Sequence, residues 1–99
     1  MHYRLSPRAL ADLEEIAGYV ATENPQAAAR LLVAIERRCQ QLVSQPWLGV
    51  ARDDIGPGIR YLVAGRYLAL YRVTDDGVVI LRLLHVRRRI GRHSVAKDR

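Results

Sequence analysis

Ninety-nine residues, 49% hydrophobic and 26% charged, leave room for one domain with a thin core and exclude an extended disordered chain. No apolar run approaches the ~20 residues that span a bilayer, no signal peptide precedes the first polar residues, and one cysteine, Cys39, does not suit a disulfide-stapled secreted domain, so the chain is expected in the cytoplasm. The net charge of +6 is one-sided: residues 1–51 hold five arginines against five acids, and residues 52–99 hold eleven Lys and Arg against five acids, a field that attracts nucleic acid or an acidic protein segment unless it is merely a soluble basic surface.

Met1 to Leu5 alternates Tyr3 and Leu5 with His2 and Arg4, a short strand. Ser6-Pro7 then supplies an N-cap and a proline at the first helical position. From Pro7 to about Ala21 the residues Leu10, Leu13, Ile16, Ala17 and Val20 recur three or four apart and predict one buried helical stripe. Asn24-Pro25 repeats the cap. The next helix carries Ala28, Leu31, Leu32, Ile35, Cys39 and Leu42 on one face until Ser44-Gln45-Pro46 stops it. A connection as short as Thr22 to Asn24 predicts an antiparallel hairpin. Cys39 reads as a small core hydrophobe.

Beyond the hairpin the apolar period changes to 2. Ile59–Ala64, Tyr67–Thr74 and Val78–Val86 read as three strands, joined at Gly65 and at Asp75-Asp76-Gly77, where Asp-Gly suits the positive φ of a primed turn. One face of this meander must cover the helices, since neither layer buries its apolar side alone. The whole chain, 1–99, is one α+β domain, with a basic tail from Arg87 to Arg99 that is expected to fray.

Most familiar chemistries are missing. His2, His85, His93 and Cys39 lack the spacing of a zinc site, no glycine-rich loop joins a strand to a helix, and Ser6, Ser44 and Ser94 stand in no hydrolase elbow, so neither metal nor cofactor is expected. The carboxylates fall on helix surfaces or in the Asp53-Asp54 and Asp75-Asp76 turns, poor ground for paired acid/base work. The polar residues of the strands remain. Arg82 interrupts the apolar run Val79 to Leu84, where a guanidinium needs an anion, open water or a helix carboxylate such as Glu14, Glu15 or Glu36. His85 is a general acid/base or a satisfied strand-end residue. Tyr61, Tyr67 and Tyr71 are base-stacking groups beside Arg60 and Arg66, or half-buried sheet residues. Arg87, Arg88 and Arg89, with Arg92, are a solvated end or a phosphate contact.

YRLSPRALADLEEI (Tyr3 to Ile16), the stop at Pro46–Gly49, PGIRYLVAGRY (Pro57 to Tyr67) and LYRVTDDGVVILRLLH (Leu70 to His85) together resemble the RelE and ParE toxins of bacterial type II toxin–antitoxin pairs, and nearly the whole chain takes part. The resemblance implies an antiparallel sheet packed on an N-terminal helical hairpin, and an acidic, ParD-like antitoxin whose C-terminal segment wraps the toxin. RelE-like members cleave messenger RNA in the ribosomal A site; ParE-like members poison DNA gyrase and serve plasmid stabilisation. Arg60, Arg82 and His85 resemble parts of the nuclease set, but Val86 follows His85 where an aromatic would help, and Lys97 is the only lysine. The long hairpin and the LRLLH ending look closer to ParE, so gyrase poisoning is the expectation, an mRNA endoribonuclease the alternative, and a non-toxic basic binding module the third reading. Arg60, Arg66, Tyr71, Arg82, His85, Arg87, Arg88 and Arg89 are the expected antitoxin- or target-binding residues.

Overall fold

The structure, a computed structural model, describes residues 2–95 in the order β1 (His2–Leu5), α1 (Pro7–Glu23), α2 (Pro25–Ser44), β2 (Val50–Ala51), β3 (Ile59–Ala64), β4 (Tyr67–Thr74), β5 (Gly77–His85) and a short 3-10 helix at Arg92–Ser94. Both proline caps form. The Ser6 hydroxyl accepts the Ala9 N–H at 3.0 Å and donates to the Leu81 carbonyl at 3.0 Å, so one side chain starts α1 and ties it to β5. Asn24 accepts the Gln26 and Ala27 N–H groups at 3.0 and 3.1 Å, while its own N–H closes α1 on the Val20 carbonyl. The hairpin is therefore tighter than its sequence suggests: α1 runs on to Glu23, and Asn24 alone connects the helices.

The sheet order is β1-β5-β4-β3-β2. The expected antiparallel meander is its centre, and β1 adds a parallel strand beside β5, with His2 opposite Gly77 and Leu5 opposite Ile80. The sheet is thus mixed. A parallel neighbour requires a long crossover, and the helical hairpin supplies it. The two-residue β2 finishes the far edge against β3. Gly65 does take positive φ, at 63°, in the β3–β4 turn. The β4–β5 turn departs from the primed type, since neither Asp75 nor Asp76 has positive φ; there the Thr74 hydroxyl bonds Asp76 and the Gly77 carbonyl, and holds the Asp76 carboxyl below its usual range. Gly77 is needed for a different reason: a Cβ there would collide with the His2 carbonyl oxygen of β1.

Both sheet faces are covered. On the helical side, Leu62, Ala64, Ala69, Tyr71, Val78, Ile80 and Leu83 pack against Ala9, Ile35, Cys39 and Leu42, with Leu13 and Ile16 at the margin. The predicted α1 stripe is rotated slightly, leaving Leu10 49% exposed and turning Ala9 and Asp12 inward; on α2, Leu32 is likewise 38% exposed. Burial, reinforced by Glu36, pushes the Cys39 thiol up to about 11, so it sits in the core as a protonated hydrophobe. On the opposite face Ile55, Ile59, Leu70, Val79, Leu81 and Leu84 form a second cluster, closed by Ile90 and Val95. That overturns the frayed tail as far as Val95. The basic run conceals two apolar residues that the outer face needs, and the rest of the predicted tail, residues 96–99, lies outside the described residues. Among the described residues no helix is long and apolar enough to cross a membrane.

Candidate functional site

Arg82 is paired and buried. A bulge in the β4–β5 ladder sets Leu70 opposite Arg82 and Tyr71 opposite Ile80, which leaves Leu81 unmatched. β1 ends opposite Ile80, so the next stretch of β5 has an open edge, and α1 closes it with Asp12. The carboxylate accepts Arg82 Nε at 2.7 Å, Arg82 Nη2 at 3.2 Å and the Leu83 N–H at 3.0 Å. Arg82 Nη1 donates to the Ser94 carbonyl at 2.6 Å. With Arg82 5% and Asp12 9% exposed, this is a desolvated, bidentate pair joining α1, β5 and the 3-10 segment. A helix carboxylate was among the anticipated partners, but Asp12 was not among those named. Its signal was present: Asp12 lies three residues after Ala9 and beside Leu13, on the inward side of α1.

Arg60 and Tyr71 meet one row along β4 from the Leu70–Arg82 pair, on the other side of that strand. Arg60 Nη1 donates to the Gly49 carbonyl at 2.7 Å and the Trp47 carbonyl at 3.3 Å, and its guanidinium lies 5.0 Å from the centroid of the exposed Trp47 ring. The Tyr71 hydroxyl accepts the Gly49 N–H and donates to the Pro46 carbonyl, each at 2.8 Å. With no exposed surface, Tyr71 holds this loop rather than presenting a contact, a correction to its place among the binding residues; burial raises its pKa against a smaller opposite pull from the Gly49 N–H.

His85 is the candidate that faces a cleft. It pairs with Tyr67 across β4–β5, the two rings edge-on at 5.4 Å, and its Nδ1 accepts the Arg87 N–H at 3.1 Å. The cleft, about 560 Å³, runs between α1 and this sheet end, with Glu15, Ile16 and Tyr19 on one side and Tyr67, His85 and Arg88 on the other. Beyond it lie Arg66, Arg87, Arg88 and Arg89, all exposed. None is within ion-pair distance of a carboxylate among the described residues.

The candidates therefore form two groups. Arg60 is registered with Tyr71 and His85 with Tyr67, four residues apart on β4 and on opposite sides of it, which separates the two backbones by about 14 Å along the strands and a further ~10 Å across them. Arg66, His85, Arg87, Arg88 and Arg89 share one end. Arg82 lines the same cleft with its guanidinium already committed. Trp47, Tyr19 and Ser94, absent from the sequence-derived set, belong to these surroundings. No group of three or more metal-ligating side chains occurs among the described residues.

The chain is thus a two-helix hairpin crossing over a five-stranded mixed sheet, with a basic strand end beside a cleft. Residues 3–90 match the model of the family described as ParE toxin of type II toxin-antitoxin system, parDE. Toxin ParE1 of Mycobacterium tuberculosis is 36% identical over 93 residues, covering 92% of this chain and 95% of its own. Toxin ParE3 of Caulobacter vibrioides is 35% identical over 74 residues, 74% of each chain. A solved structure titled as the chromosomal ParDE TA system from P. aeruginosa superposes with a TM-score of 0.68 at 28% identity, over 86% of this chain and 95% of that one. The chain belongs to the ParE toxin family.

Proposed function

We propose that this toxin acts by poisoning DNA gyrase, and that a cognate acidic antitoxin neutralises it in the cytoplasm of its host. Burial of Arg82 is the observation that carries the choice of target. An arginine serving a ribonuclease must offer its guanidinium to the transition-state phosphate, whereas here Asp12 and the Ser94 carbonyl occupy it. Arg60 is bonded to its own loop and lies far from His85 along the sheet. Attack by a ribose 2′-hydroxyl needs a base, an acid and a phosphate clamp held together, and these three residues do not supply that set. The similarity to Toxin ParE1 and to a chromosomal ParDE TA system supports the antitoxin partnership.

The competing reading, a ribosome-dependent endoribonuclease, draws its support from His85, which stands against Tyr67 at the mouth of the cleft. Added to ribosomes programmed with a message, the purified toxin is expected to leave the message intact. Cleavage in the A site that disappears in His85→Ala would transfer the assignment to the nuclease, because loss of a general acid/base typically slows such a step ~100-fold or more.

A further inference from the structure

We propose that the basic sheet end is a DNA-backbone contact, by which the toxin grips the DNA that its target holds. The inference deepens the gyrase reading and rests on it for the biological setting. It starts from how the arginines are assembled. The Arg66 carbonyl accepts the Val86 N–H at 2.8 Å, which joins the β3–β4 turn to the turn leaving β5. The Arg88 N–H donates to the His85 carbonyl at 2.9 Å, and the Arg87 N–H to His85 Nδ1. Four guanidiniums thus project from two turns that hydrogen bonds hold together, with no carboxylate at ion-pair distance among the described residues.

The chemistry suits phosphates. Every cation of the cluster is arginine, whose planar fork binds phosphate oxygens bidentately and is less strongly hydrated than an ammonium. Tyr67 and His85 adjoin the cluster and offer ring faces of the kind that pack against sugars and bases. The mode of action favours the same partner. A poison stabilises the DNA-bound, cleaved state of its target only if it binds that state more tightly than the DNA-free one. A contact to the DNA itself supplies that difference, and a contact confined to the protein surface does not do so without a further conformational change.

Charge-matched variants test this. Binding of the full-length toxin to a fluorescent DNA duplex, without gyrase, is measured by anisotropy across a salt series for the wild type, for R87S/R88S/R89S, and for R4S/R30S/R37S, which removes three exposed arginines elsewhere. The cluster variant is expected to lose at least tenfold in affinity relative to the control and about 2–3 from its log–log salt slope, near 0.9 per phosphate contact. R66S/R89S, which draws on both turns, should lose about 2 from the slope in the same way. Equal weakening of the cluster and control variants would overturn the proposal, leaving only net charge. So would a cluster variant that keeps its DNA affinity and salt slope, which would take the arginines out of any DNA contact. Since the assay contains no gyrase, a toxin that binds DNA through the cluster yet fails to inhibit gyrase would sink the functional reading and leave this one standing.

Discussion

Asp12→Ala is expected to destabilise the fold by about 3–5 kcal/mol, a large share of the roughly 5–15 kcal/mol available to a small domain. The substitution removes both acceptors of the Arg82 fork and leaves the Leu83 N–H unpaired at the open edge of β5. A buried guanidinium without its partner cannot shed its charge, so its desolvation falls wholly on the folded state. The loss reflects a broken pair rather than the net value of the intact one. Replacing both partners together, as Asp12→Leu with Arg82→Met, should recover part of the stability, since it removes the buried unpaired charge while leaving the Leu83 N–H and the Ser94 carbonyl without their partners. Urea denaturation of the single and double variants measures both effects. A single-variant loss under about 1 kcal/mol, or a double variant no better than Asp12→Ala, would mean that the pair is not the clasp described here.

Leu42→Ala should cost about 2–5 kcal/mol, because this side chain is fully enclosed between α2 and the sheet and its removal leaves a cavity. Leu13→Ala, at the margin of the same cluster, should lie toward the lower end of that range. Leu10→Ala should stay within about 0.5 kcal/mol of wild type, as expected for an exposed position. The three leucines share a residue type and differ in environment, so the ranking reports the helix rotation directly. A Leu10→Ala loss as large as that of Leu42→Ala, measured by chemical denaturation, would restore the stripe that the sequence alone suggests.

What could be read from the chain was local. Ser6-Pro7 and Asn24-Pro25 announce helix starts because a cap acts within three residues, and the alternation of Tyr67 to Thr74 announces a strand because it spans one element. What escaped depended on distant partners. Nothing in His2–Leu5 says that its neighbour is β5, or that the pairing is parallel. The Asp12–Arg82 pair joins residues 70 apart in sequence. The arginines after His85 suggest a frayed end, but Ile90 and Val95 among them pack on the outer face of the sheet. The nearly continuous apolar run of β5, broken at Arg82, was the available clue, since a strand buried on one side only alternates, and this one is buried from Gly77 through Leu84. At the site, Arg66, His85 and Arg87 to Arg89 share one sheet end because the Val86 N–H bonds the Arg66 carbonyl across two turns, a contact that no local pattern announces. Tyr71 and Arg82 turned inward because a large aromatic and a long cation can each be satisfied by groups that no local pattern reveals.

The claim that this toxin acts on gyrase, with Arg82 and His85 in non-catalytic roles, is tested most directly by adding the purified protein to a gyrase supercoiling reaction and trapping cleaved DNA with detergent and protease. The expected result is a dose-dependent rise in cleaved DNA together with loss of supercoiling, preserved in His85→Ala. Unchanged supercoiling and no cleaved DNA, from a toxin that arrests growth when expressed without its antitoxin, would contradict it.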